Sequence, residues 1–259
     1  MILAIDIGNT NIVLACVDEG NILFCERIST DLRKTDLEHA ISVKTILELH
    51  NIAPSRITGA IISSVVPPIT SLIRQGLTKV TGLEDVMVVG PGVKTGLNIL
   101  MDNPAQVGSD LIVGAVAGIA EYELPLVIVD MGTATTICVI DENRTYIGGM
   151  ILPGLRVSLD SLTSATSQLP RISLDPPRRL IGKNTIDGMK SGILYGHAAT
   201  LDGMVERIED ELGRQVTVVA TGGLAGRIAP LCRRRVILDD LLLIKGLWII
   251  YQKNAAERK

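Results

Sequence analysis

Leu3-Ala4-Ile5-Asp6-Ile7-Gly8-Asn9-Thr10-Asn11 and Val127-Ile128-Val129-Asp130-Met131-Gly132-Thr133-Ala134-Thr135-Thr136 are two versions of one short element. Each is an apolar run that ends in Asp-x-Gly, turns through hydroxyl- or amide-bearing residues and enters a second apolar run. The flanks match as well. Met1–Ile7, Ile12–Val17 and Ile22–Ile28 read as three strands joined at Gly8–Asn11 and at Asp18-Glu19-Gly20-Asn21. Leu126–Val129, Ile137–Ile140 and Thr145–Met150 repeat that plan, joined at Gly132–Thr135 and at Asp141-Glu142-Asn143-Arg144. Asp, Asn and Gly at the joins are the residues that hairpin turns demand. One such element is common in α/β proteins. Two with matching flanks, one opening each half, imply a duplicated fold whose related lobes hold a nucleotide phosphate and its metal.

Outward from these hairpins, each half continues with helices and further strands. Thr35–Leu49 carries apolar residues at three- and four-residue spacing and reads as a helix. Ala60–Val65 and Asp85–Val89 read as strands, and Pro67-Pro68 opens a helix through Val80. Asp110–Tyr122 is an Ala- and Gly-rich helix able to pack closely on a neighbour. In the second half Ile186–Glu211 is a long helix, Val216–Ala220 a strand and Leu241–Lys253 a closing helix. Three strands followed by alternating helix and strand, twice over, imply an α/β chain with a mixed sheet flanked by helices in each half. Glu123-Leu124-Pro125 breaks the preceding helix, so the expected domains are 1–122 and 123–259.

Composition narrows the function. The chain of 259 residues has a formal charge of −3, which gives no basic face for phosphate-backbone binding, and no nucleic-acid partner is expected. Arg233-Arg234-Arg235 is the one basic run and reads as a solvated face. Hydrophobic residues make up 47% but aromatics only 2%, so the core must be aliphatic. Cys16, Cys25, Cys138 and Cys232 form no CxxC pair, which argues against a zinc site or disulfide framework and fits a reducing, cytoplasmic compartment. Asp6 interrupts the first apolar run and no basic stretch precedes it, so no signal peptide is read there. No apolar run approaches the ~18 residues of a membrane span.

In the first turn, Gly8 lets backbone approach a phosphate, and the Thr10 hydroxyl with the Asn9 and Asn11 amides can cradle its oxygens. Asp6 at the strand end can hold Mg²⁺. Three hydroxyls beside Asp130 make a second oxygen-rich corner for a phosphate or hard cation. Thr221-Gly222-Gly223 after a buried strand allows close approach of a flat ligand such as a base and ribose. Gly90-Pro91-Gly92-Val93-Lys94-Thr95-Gly96 is rejected as a dinucleotide loop, because its third glycine is late and Pro91 has no N–H. Gly182-Lys183-Asn184-Thr185 is rejected as a P-loop, because Asn184 replaces the required hydroxyl. By spacing alone Asp110 is equally a helix-capping residue and a general base for phosphoryl transfer. His39, His50 and His197 have no triad partners, and His197 reads as a satisfied core or interface residue.

Taken together, Asp6–Asn11, Ser63-Ser64-Val65-Val66-Pro67, Gly90–Leu97, Asn103-Pro104, Asp130-x-Gly132-Thr133-Ala134-Thr135-Thr136, Gly149-x-Ile151-x-Pro153-Gly154, Gly182–Thr185 and Thr221-Gly222-Gly223-Leu224 closely resemble type III pantothenate kinase over nearly the whole chain. The resemblance implies two ribonuclease-H-like lobes of the acetate-and-sugar-kinase/Hsp70/actin superfamily, paired as a homodimer. It implies ATP-dependent phosphorylation of pantothenate, the first step of coenzyme A synthesis, with Mg²⁺ and a monovalent cation, K⁺ or NH₄⁺. By position, Asp6, Ile7, Gly8, Asn9, Thr10, Asn11, Ile12 and Val13 would form the first phosphate loop and Thr133 would contact ATP. Asp130 would bind the monovalent cation. Asp110 would be the base, Gly108, Ser109, Asp110 and Leu111 would face pantothenate, and Thr185 would reach it across the dimer interface.

Two positions depart from the family pattern. The usual Gly-x-Asp-Arg is Gly108-Ser109-Asp110-Leu111, and a pocket Tyr is replaced by Met101. Both lie on the pantothenate side. Loss of a charge-assisted contact there costs ~1.5–3 kcal/mol, about ten- to hundredfold in affinity. The alternatives are therefore a kinase of the same fold with another small alcohol as acceptor, or a nucleotide-binding regulatory paralogue with weak or no turnover.

Overall fold

The structure, a computed structural model, describes residues 1–255. Its strands, in chain order, are β1 (Ile2–Ile7), β2 (Asn11–Asp18), β3 (Asn21–Ser29), β4 (Gly59–Ser64), β5 (Met87–Val88), β6 (Asn98–Ile99), β7 (Leu126–Met131), β8 (Ala134–Ile140), β9 (Thr145–Pro153), β10 (Thr217–Thr221) and β11 (Ile237–Leu238). The helices are α1 (Asp36–Leu49), α2 (Pro67–Thr81), α3 (Ser109–Glu121), α4 (Leu155–Ser164), α5 (Thr185–Leu212), α6 (Ala225–Ile228) and α7 (Leu242–Ala255). Two compact units emerge. The first comprises residues 1–97, 103–117 and 241 onward; the second comprises 98–102 and 118–240. The sequence reading places one cut after Tyr122, whereas these units interleave: α7 belongs to the first unit and β6 to the second.

The first unit has the sheet order β3-β2-β1-β4-β5. β1 pairs antiparallel with β2 and parallel with β4. β1 is covered on both faces, which explains its unbroken apolar run. Leu3, Ile5 and Ile7 point to the face packed by Val43, Ile46 and Leu47 of α1 and Ile69, Ile73 and Leu77 of α2. Ile2 and Ala4 point to the face packed by Val113 and Val116 of α3 and Ile244, Leu247 and Ile250 of α7. Strand alternation therefore puts Asp6 on the α3/α7 face. A capping box fixes the start of α1: Thr35 Oγ1 accepts from the Glu38 amide while the Glu38 carboxylate accepts from the Thr35 amide.

The second unit repeats the plan as β11-β10-β7-β8-β9, extended at its edge by β6. β7 pairs antiparallel with β8 and parallel with β10, as β1 does with β2 and β4. Val127, Val129 and Met131 pack against Leu155 of α4, Leu194, Leu201 and Val205 of α5 and Ile228 of α6. Asp130 alternates to the opposite face, as Asp6 does in its own sheet.

Several sequence readings acquire physical content here. Cys16 and Cys138 are core residues, and burial raises both thiol pKa values. Arg234 is not part of a solvated face. It is half-buried, donates to both Glu209 carboxylate oxygens at 3.2 and 3.1 Å, and holds that carboxyl below its usual range. The Gly90–Gly96 loop serves α7: Asn254 exchanges hydrogen bonds with the Lys94 backbone at 3.0 and 2.9 Å, and Lys253 Nζ donates to the Thr95 carbonyl at 2.9 Å. Among the described residues no helix is long and apolar enough to cross a membrane.

Candidate active site

In the first unit, the predicted phosphate loop is the β1–β2 turn. Gly8 closes it by donating its N–H to the Asn11 carbonyl at 3.0 Å. The flank of β3 braces it: Thr30 Oγ1 donates to the Gly8 carbonyl at 2.7 Å, and the Thr30 amide donates to the Thr10 carbonyl at 3.0 Å. Asn9 and Thr10 are exposed at the tip, Asp6 is half-buried at its base, and Ile7 and Ile12 anchor it in the core. Asp6 stands in register with Val13 of β2 on one side and Ser63 of β4 on the other.

The start of α3 is joined to this strand end. Ser63 Oγ lies 3.1 Å from Ser109 Oγ, the Ser64 amide donates to Ser109 Oγ at 3.0 Å, and Ser109 Oγ lies 3.0 Å from the Ser64 carbonyl. Asp110 follows in the first helical turn, where its Oδ1 accepts from the Leu111 amide at 2.8 Å. Burial raises the Asp110 carboxyl pKa above its ordinary value, and the Leu111 and Asp110 amides offset part of that rise. A Cβ at position 108 would come within 2.4 Å of Asp110 Oδ1, so Gly108 makes room for the carboxylate to fold back. The unit thus gathers Asp6, the turn through Val13 and the Gly108–Leu111 segment at one end of one sheet face. Ser63 and Ser64, read in the sequence as part of the Ala60–Val65 strand and of the Ser63–Pro67 motif without a role of their own, are the link. Their signal was polarity at the close of an otherwise buried strand.

In the second unit, the Asp130 turn is enclosed by two glycine segments that the sequence singles out separately. Thr221 of β10 is in register with Asp130 of β7. Gly222 then turns with φ of +92°, and a Cβ there would lie 2.4 Å from Asp130 Oδ1 and 2.7 Å from the Met131 nitrogen. A Cβ at Gly154 would lie 2.1 Å from the Thr133 carbonyl oxygen. Gly222 and Gly154 are therefore the residues that let backbone lie directly on the Asp130–Thr133 turn. Behind the turn, an apolar cavity of about 200 Å³ is lined by Met131, Pro153, Leu155, His197 and Leu224, among others. His197 is satisfied there, with Nδ1 2.7 Å from the Ile193 carbonyl and Nε2 3.4 Å from Ser158 Oγ.

Thr185 is the first residue of α5, exposed and outside the Asp130 cluster. Its helix is capped by Asn184, whose Oδ1 accepts from the Asp187 amide at 2.8 Å. Asn184 thus has a capping role that the failed P-loop spacing did not disclose. Met101 lies just beyond β6 and is exposed, and Leu111 is half-buried.

Comparison with known proteins decides the family. The profile described as type III pantothenate kinase matches residues 2–207. A protein from Exiguobacterium sp. bearing that name is 48% identical over 254 residues, spanning 98% of this chain and 99% of its own. The chain belongs to the type III pantothenate kinase family. A second family member, from Bacillus cytotoxicus, is 45% identical over 255 residues, covering 98% and 97% of the two chains. Among solved structures, the activator of 2-hydroxyisocaproyl-CoA dehydratase from Clostridium difficile aligns with a TM-score of 0.58 at 16% identity, over 99% of this chain and 97% of its own. The ROK hexokinase from Thermus thermophilus aligns at 0.52 and 13% identity over 99% of both chains. These likenesses show the fold, an α/β chain of two mixed sheets flanked by helices, consistent with two ribonuclease-H-like lobes.

Proposed function

We propose that this chain transfers the γ-phosphoryl group of ATP to the hydroxyl of pantothenate, opening coenzyme A biosynthesis. The observation that carries this reading is the placement of Asp110. It sits on the same sheet face as Asp6, tied to the neighbouring strand, with a carboxyl pKa raised by burial. A base whose pKa lies nearer the working pH takes a proton more effectively than an ordinary carboxylate. Phosphoryl transfer otherwise asks mainly for positioning and charge stabilisation.

In this reading the Asp6–Val13 turn binds phosphate oxygens through backbone N–H groups and the Thr10 hydroxyl, and Thr133 contacts ATP. The apolar cavity beside Leu224 has room for the adenine base. Gly108, Ser109, Asp110 and Leu111 form the pantothenate side. The donor set suits the expected ions. Among the described residues no cluster of three or more His, Cys, Asp or Glu is present, and Mg²⁺ ordinarily takes one or two carboxylates together with substrate phosphates and water. Asp6 would hold Mg²⁺, and Asp130, enclosed by Gly222, would hold K⁺ or NH₄⁺. When bound, these ions supply positive charge to the phosphates. The working form is a cytoplasmic homodimer; the thiols of Cys16, Cys25, Cys138 and Cys232 fit a reducing compartment. Exposed Leu180, Ile181 and Ile186 around Thr185 supply an apolar contact face.

A coupled kinase assay with pantothenate, with and without K⁺, tests the reading. Turnover that depends on pantothenate and rises with K⁺ is expected. Leu111, where the sequence resemblance leads one to expect Arg, favours a second reading in which another small alcohol is the acceptor. Turnover on a panel of hydroxylated metabolites with none on pantothenate at saturating ATP would select it.

A further inference from the structure

The Ser109 side chain has a stricter hydrogen-bond inventory than its neighbours. A serine hydroxyl offers one proton and two lone pairs. The Ser64 amide can only donate, so it occupies one lone pair at 3.0 Å. The Ser64 carbonyl can only accept, so it takes the Ser109 proton at 3.0 Å. Ser63 Oγ, 3.1 Å away, must then donate its own proton to the second lone pair. Every position on the Ser109 hydroxyl is used, and all three partners lie on the last two residues of β4. Ser63 is completely buried and in register with Asp6. Ser64 is tied onward to α2, its Oγ accepting from the Val66 amide at 3.0 Å and from Thr70 Oγ1 at 2.7 Å. Ser109 therefore closes a network joining the ends of β1 and β4, the start of α2 and the first turn of α3.

We infer that Ser109 is a positioning residue for phosphoryl transfer: its hydroxyl locks the first turn of α3 to the end of β4, the strand paired with β1, and so fixes the helix start that carries Asp110. The inference rests on Asp110 being the base. Ser109 has no hydrogen-bonding capacity left to spend on substrate through its side chain. Its removal leaves a buried hydroxyl, an amide and a carbonyl each short of a partner, and the helix start that carries the base is no longer pinned. Misplacement of a catalytic group by about 1 Å costs on the order of a hundredfold in rate.

The test compares Ser109→Ala, Ser109→Thr and Asp110→Asn in the full-length protein. Readouts are kcat for pantothenate at saturating ATP, KM for ATP, the pH profile of kcat, and the melting temperature. Ser109→Ala should lower kcat about tenfold to a hundredfold while KM for ATP stays within about twofold. The acid limb of its profile should move to lower pH, as water reaches a loosened Asp110. Ser109→Thr, which keeps the hydroxyl, should recover most of the rate. A general loss of folding would instead lower the rate equally at every pH, leave KM for ATP unchanged and lower the melting temperature towards the assay temperature; that pattern, with no shift of the acid limb, would overturn the positioning role. Two further results overturn the inference separately. Turnover lost in Asp110→Asn but undiminished in Ser109→Ala removes the role of Ser109 alone. Turnover retained in Asp110→Asn removes the base assignment on which the inference depends.

Discussion

Asp110 is held where its own charge is disfavoured. Burial raises its carboxyl pKa, and the Leu111 and Asp110 amides only partly compensate. The sign of the stability effect follows. Below the ordinary carboxyl value of 3.8 the group is protonated in both folded and unfolded chains and costs nothing. As pH rises from that value to the raised folded one, the unfolded chain ionises while the folded chain resists, so stability falls across that window and at neutral pH the native state carries the full penalty. Asp110→Asn should therefore melt at or above the wild-type temperature at pH 7, while kcat falls about 10²–10⁴-fold and ATP binding is nearly unchanged. Calorimetry and a turnover assay on the same preparation check this; a lower melting temperature would contradict the burial argument. The acid limb of the wild-type kcat profile should lie above 3.8 for the same reason. One residue further on, Leu111 stands where the sequence resemblance leads one to expect Arg. Leu111→Arg restores a guanidinium able to meet a carboxylate, worth ~1.5–3 kcal/mol. KM for pantothenate should fall about tenfold or more. An unchanged KM would mean that pantothenate is held by other groups or is not the acceptor.

At the level of elements, the hairpin turns depend on glycines whose role comes from a neighbouring strand rather than from their own sequence. Gly222 has φ of +92° and no room for a Cβ against Asp130 and Met131. Gly222→Ala should cost about 1–3 kcal/mol of stability from backbone strain and push the Asp130 carboxylate aside. Its K⁺ activation curve should shift to higher concentration more than its ATP dependence shifts. A normal K⁺ response in the variant would detach Asp130 from the cation. Elements with local punctuation are legible in sequence. The start of α1 is marked by Thr35 and Glu38, that of α2 by Pro67, and both Asp-x-Gly hairpins by alternating apolar runs. β6 is not legible, because two residues, Asn98 and Ile99, carry no period, and only the edge of β9 makes them a strand. The Ser63–Ser64–Ser109 network escapes for a related reason: its partners lie 45 or more residues apart. No local rule pairs a serine at a strand end with one at a distant helix start.

Across the whole molecule, the duplication was visible from two hairpins, but the allocation of later segments was not. Helix periodicity says that α7 has an apolar face; it does not say which sheet receives it. That choice is made by side-chain fit, with Ile244, Leu247 and Ile250 filling the face of β1 that Ile2 and Ala4 present. The same limit applies to association between chains. The segment that opens α5 leaves Leu180, Ile181 and Ile186 exposed, Ile181 by 82%, around the residue proposed to reach a partner's pantothenate. Clustered apolar exposure of this kind marks a contact surface more often than an ordinary solvent face. Ile181→Glu would place a charge in that contact, and an unpaired buried charge costs several kcal/mol. About 3 kcal/mol would weaken the dimer by more than a hundredfold. Sedimentation should then show a dimer for the wild type and a monomer for the variant at the same micromolar concentration. If Thr185 acts across the interface, KM for pantothenate should rise with dissociation while KM for ATP holds, and raising the variant's concentration should restore activity. A monomeric variant with unaltered pantothenate kinetics would confine the complete acceptor site to one chain.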